Sequence, residues 1–115
     1  MWNIIFGVGA AILAGLLIAA FLSDWVRREF ANFLRATGLQ KTFIMDVLVV
    51  LDRAQATMAN HVKAFLITRV QNDENWYQVS ETEMHENDVN DDRVKEELRR
   101  REQVAVDVKE LVMST

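Results

Sequence analysis

The chain of 115 residues has no cysteine and no proline, and only four glycines. Without cysteine there is no disulfide framework, no thiolate zinc site and no thiol nucleophile. Without proline, and with Gly7, Gly9 and Gly15 gathered near one end, little in the rest of the chain interrupts long regular elements. Imidazole chemistry is confined to two residues, His61 and His85. A Gly-rich phosphate loop, a nucleophile elbow and a zinc-ligand spacing are also absent from the sequence.

Charge is missing altogether from Ile4 to Leu22, nineteen residues. A helix of that length covers about 28 Å, close to the roughly 30 Å hydrocarbon core of a bilayer. Residues 1–23 therefore predict a transmembrane anchor. Trp2 and Trp25 bracket the run, about 34 Å apart on a helix, as interface anchors. A cleaved signal peptide fits less well: no Lys or Arg precedes Ile4, the run is long, and Phe21-Leu22-Ser23 makes a poor cleavage site. Arg27, Arg28, Arg35 and Lys41 follow the run, so the positive-inside rule places the N-terminus outside and the C-terminal bulk in the cytoplasm or interior. Gly7, Ala11, Gly15 and Ala19 recur at every fourth position and predict a close-packing face between membrane helices.

Half of the residues are apolar, and the net charge of −4 is unevenly spread. Residues 1–71 hold seven basic and four acidic side chains, whereas residues 72–115 hold six basic and thirteen acidic. An acidic C-terminal half argues against nucleic acid, which requires a positive footprint.

Residues 24–70 read as membrane-proximal helices. Trp25, Val26, Phe30, Phe33 and Leu34 alternate with Arg27, Arg28 and Asn32 at helix spacing, and Gly38 is the expected stop. A second long amphipathic helix is predicted from about Gln40 to Val70, on the stripe Ile44, Leu48, Leu51, Met58, Val62 and Phe65. With Phe30 and Phe33, these residues would meet the membrane or a partner. The segment Phe43–Leu51 is apolar on nearly every side, which on a helix demands burial. Residues 71–90 read as an acidic polar linker, relieved by Trp76 and Tyr77. Residues 91–115 read as a C-terminal helix or tail. Asn90 is a good N-cap there, while Val104–Lys109 alternates with period two, so helix and strand stay open over 103–112.

The fold class expected from these features is all-α: an N-terminal membrane helix with a short amphipathic extension, a second long helix, and an acidic region with a third. No catalytic, cofactor-binding or metal-ligating residue is predicted, and no cofactor or small-molecule substrate. His85, with Glu81, Glu83, Glu86 and Asp88, matches no ligand spacing. The functional expectation is a non-enzymatic single-pass subunit that scaffolds or tethers a membrane-bound assembly, cellular or within a virus particle. Its partners would be the lipid bilayer and copies of itself or other membrane subunits. Two alternatives are a holin-like or toxin-like permeabilising protein and a membrane-tethered adaptor whose acidic tail recruits a basic partner.

Overall fold

A computed structural model describes residues 12–13, 20–73, 75–89 and 92–113. It shows a mixed α/β fold. The order is strand β1 (Ile12–Leu13), helix α1 (Ala20–Thr37), strands β2 (Ile44–Asp52), β3 (His61–Val70) and β4 (Tyr77–His85), helix α2 (Asp92–Arg101), strand β5 (Gln103–Asp107) and the short helix α3 (Lys109–Met113). One sheet joins the strands in the order β1-β5-β2-β3-β4. β5, β2, β3 and β4 pair antiparallel, and β1 pairs parallel to β5 through Ile12↔Ala105 and Leu13↔Val106.

The all-α expectation is thereby corrected. The long second helix over residues 40–70 does not form; β2 and β3 stand in its place, paired from Ile44↔Val70 to Asp52↔Lys63. The physical reason lies in β-branching and two-sided burial. Ile44, Val47, Val49, Val50, Val62, Ile67, Thr68 and Val70 are stiff at χ1 and suit a pleated surface. A strand buried on both faces reads as a continuous apolar run, the same signature as a buried helix segment. Tyr77–His85, read as linker, is the strand β4. Beyond α2, the period-two alternation prevails and β5 forms.

The membrane span is corrected too. A continuous helix from Ile4 to Leu22 is broken by the extended backbone of Ile12–Leu13, and α1 begins at Ala20. Among the described residues no helix is long and apolar enough to cross a membrane. Leu22 and Trp25, at 2% and 5% exposure, are packed into the protein core. Residues 1–11 and 14–19 of the expected span lie outside the described ones.

α1 buries the stripe Leu22, Trp25, Val26 and Phe30 on one face of the sheet. There it meets Val47, Val49 and Leu51 of β2, Val62, Ala64 and Leu66 of β3, Met84 of β4 and Val104 and Val106 of β5. Val94 and Leu98 of α2 and Val112 of α3 complete that layer. A hydrogen bond of 2.9 Å from Ser80 Oγ to Glu29 ties β4 to α1. The helix stops where Gly38 turns to φ +72°, its N–H donating to the Leu34 carbonyl at 2.9 Å. That left-handed conformation costs a side-chain-bearing residue about 1 kcal/mol or more. The opposite face of the sheet carries a smaller apolar cluster of Leu48, Val50, Phe65, Ile67 and Ala105, with Trp76 against it.

Placing Trp25 in the core has a measurable consequence. Trp25→Ala should lower the unfolding free energy by about 3–5 kcal/mol in denaturant titration. Met58→Ala, at a side chain 61% exposed, should stay within about 0.5 kcal/mol of the native protein. Equal midpoints for the two variants would refute the placement.

Candidate functional site

β4 is an outer strand of the sheet, hydrogen-bonded to β3 on one side only. It runs nine residues, Tyr77–His85, and among the described residues no backbone group pairs with its other side. The register runs from His61↔His85 through Phe65↔Glu81 to Leu66↔Ser80, then shifts so that Ile67 faces Gln78. The extra residue is Val79, a bulge of the kind that bends an edge and re-aims its side chains.

Glu81 and Glu83 stand two residues apart and so share a face of the strand. Each is held by a diagonal neighbour on β3: Lys63 Nζ lies 3.5 Å from Glu81, and His61 Nδ1 lies 3.2 Å from Glu83. Glu83 also accepts from the Thr57 amide at 2.9 Å and the Thr57 hydroxyl at 3.0 Å, which clips the β2–β3 connection onto β4. These bonds, led by the Thr57 amide, hold the Glu83 carboxyl below its ordinary value of 4.5. At the other end of β4, the Tyr77 hydroxyl donates to the Asp73 side chain. That bond lowers the Asp73 carboxyl and raises the Tyr77 hydroxyl.

His61 and His85 face each other edge-on with ring centroids 5.4 Å apart, beside Glu83. Even so, no group of three or more His, Asp or Glu side chains among the described residues is disposed to hold a metal ion. The cluster is a hydrogen-bonded strand face in which His61 orients the Glu83 carboxylate and His85 accepts from the Asn87 N–H.

The residues singled out from the sequence are dispersed by the fold. Trp2, Gly7, Ala11, Gly15 and Ala19 lie outside the described residues. Trp25 and Phe30 are core residues, and Phe33 packs partly buried against them. Ile44, Leu51 and Val62 face the helices, whereas Leu48 and Phe65 face the opposite side of the sheet. Met58 is exposed in the β2–β3 connection. Their apparent helical stripe is thus divided between two sheet faces and a turn. Thr57, Lys63 and the alternation of Glu81 and Glu83 were not recognised as a site. The available signal was that alternation within Tyr77–His85, diluted by Ser80, Thr82 and Gln78. Comparison with protein-family models, with curated proteins and with solved structures gave no match.

The lowered Glu83 carboxyl fixes a pH response. Its ionised form is favoured in the folded chain, so its contribution is present above 4.5 and is lost as pH falls through the depressed value. The protection factor of the Thr57 amide in hydrogen exchange should therefore fall on acidification below 4.5, while in Glu83→Gln it should be flat with pH. Undiminished protection of the native amide through that range would contradict the assignment.

Proposed function

We propose that the chain is a non-enzymatic protein-interaction module, an adaptor or scaffolding subunit that receives an extended basic segment of another protein along β4. The observation that carries this reading is the nine-residue outer strand whose second side has no backbone partner among the described residues. Such an edge offers a row of N–H and C=O groups, and strand addition satisfies them with main-chain hydrogen bonds while side chains set specificity.

Charge selects the occupant. If a second copy of the chain paired antiparallel about Glu81, the two Glu81 side chains would stand directly opposite, and like charges so placed destabilise a sheet. A strand with Lys or Arg at alternate positions meets Glu81 and Glu83 favourably instead. The same carboxylates thus attract one partner and repel self-association. Phe43 and Met45, two residues apart where β2 starts, and Met58 in the β2–β3 connection are exposed at 48%, 42% and 61%, too few large apolar side chains to recommend a competing site.

A pair of ten-residue peptides tests the reading, one alternating Lys and Val, the other Glu and Val. The basic peptide should slow amide exchange within Tyr77–His85, weaken as salt is raised, and lose affinity to Glu81→Lys. The acidic peptide should leave the native strand unprotected. Glu81 is itself exposed and its pair with half-buried Lys63 is long, so breaking it costs about 1 kcal/mol and the variant keeps its fold. Equal protection by both peptides, or by neither, would remove the reading.

A further inference from the structure

A cleft of about 190 Å³ lies between α2 and the ends of β2 and β4, lined by Arg53, Glu86, Asn87, Lys95, Leu98 and Arg99. It is separate from the outer side of β4, and a ligand in it needs no strand added there. Its walls come from three segments with fixed backbones. The Arg53 N–H donates to the Glu102 carbonyl at 2.8 Å, the Glu86 N–H to the Asn60 carbonyl at 2.8 Å, and the Asn87 N–H to His85 Nδ1 at 3.1 Å. Leu98, 3% exposed, is seated in the core and fixes the rotation of α2.

Three cations converge on the space. Lys95 and Arg99 are four residues apart on α2, hence on one face, where like charges repel. Arg100 on the same helix bonds to Glu97 at 3.4 Å, whereas the side chains of Lys95 and Arg99 make no ion pair or hydrogen bond with any described residue. Arg53 is anchored through Nε, 2.6 Å from Glu86 Oε1. That contact uses one of the five guanidinium N–H donors and leaves the two terminal nitrogens to serve a ligand. Within a chain of net charge −4, the cleft holds three cations against one carboxylate.

We propose that this cleft binds a phosphoryl group, carried by free phosphate or by a small phosphate monoester. Charge argues for it: the surplus of two positive charges matches a phosphate monoester's charge of about −1.5 to −2 at neutral pH, and a single carboxylate would leave the site under-neutralised. Arginine forks suit the geometry of phosphate oxygens, with the lysine acting as a point charge beside them. Size sets the limit. Ligand pockets for whole drug-sized molecules hold about 300–1,000 Å³, so this cleft takes the phosphoryl head and leaves the rest of a monoester outside.

The test titrates the full-length chain separately with inorganic phosphate, an alkyl phosphate monoester, acetate and a tetra-aspartate peptide, following backbone amide resonances. The expected result is a saturable shift at Asn87, Lys95 and Arg99 with phosphate or the ester, and none with acetate or the peptide. Tighter binding of the ester identifies the monoester as the source; equal binding identifies free phosphate. The double variant Lys95→Gln, Arg99→Gln should weaken binding by about tenfold or more, and Arg28→Gln, on α1 and not among the lining residues, should leave it unchanged. The Lys95 and Arg99 side chains hold no ion pair or hydrogen bond with a described residue, so the double variant should unfold within about 0.5 kcal/mol of the native protein. Three outcomes would overturn the proposal: no saturation, equal affinity in the double variant, or preference for tetra-aspartate.

Discussion

The contact that β2 and β3 make through both of their faces is the constraint around which the other elements are arranged. Val47, Val49, Leu51, Val62, Ala64 and Leu66 lie under the helices, while Leu48, Val50, Phe65 and Ile67 lie on the opposite side. Each buried aliphatic side chain of this kind contributes about 1.5–3 kcal/mol, and together they form the largest favourable term in the fold. Burying one face requires α1, α2 and α3. Burying the strands' edges requires β5 on one side and β4 on the other. Where the sheet meets water the apolar centre gives way to pairs: Asp46 with Arg69 at 2.5 Å and Lys63 with Glu81 at 3.5 Å. Arg69 also lies 5.2 Å above the Trp76 ring, so the loop before β4 is drawn onto the same face.

What was legible in the sequence follows from this double burial. The amphipathic pattern of Trp25, Val26, Phe30 and Phe33 and the stop at Gly38 correspond to α1, because a helix with one buried stripe keeps its period. The acidic start at Asp92 corresponds to α2, while Asn90 lies outside the described residues. Phe43–Leu51 demands burial on nearly every side in either backbone, and it forms a strand rather than the expected helix from Ile44 onward. Periodicity cannot separate a two-faced strand from a buried helix; short length and β-branching decide it. The stripe from Ile44 to Phe65 was a coincidence of spacing across a turn. Ile4–Leu22 shows the same limit more sharply. Hydropathy counts apolar side chains, and those of Leu22 and Trp25 are satisfied by the sheet.

The candidate site was less legible, because pairing across strands joins residues far apart in sequence. Glu83 meets Thr57 and His61 over separations of twenty-six and twenty-two residues. The acidic half of the chain was evident from composition, but its division was not. Glu81 and Glu83 are spent along β4, while Lys95 and Arg99 gather beside Arg53 in a surplus of the opposite sign. Net charge described neither. The first arises from the pairing of β4 with β3, the second because α2 leads from the end of β4 to β5 on the far side of β2 and sets its basic face against the β2–β3 connection.

That crossing has a kinetic side. β5 lies between β1 and β2, pairing Val106 with both Leu13 and Val49. Ribosomes add about 5–20 residues per second, so about 3–10 s of synthesis separate the emergence of β2 from that of β5. Through that interval one apolar edge of β2 has no strand beside it. The sheet closes by contacts of long sequence separation, the class that slows folding most. A nascent chain of this topology therefore spends its most adhesive moments before residue 107, and a chaperone or a slow-to-aggregate intermediate is the natural complement of a strand that arrives so late.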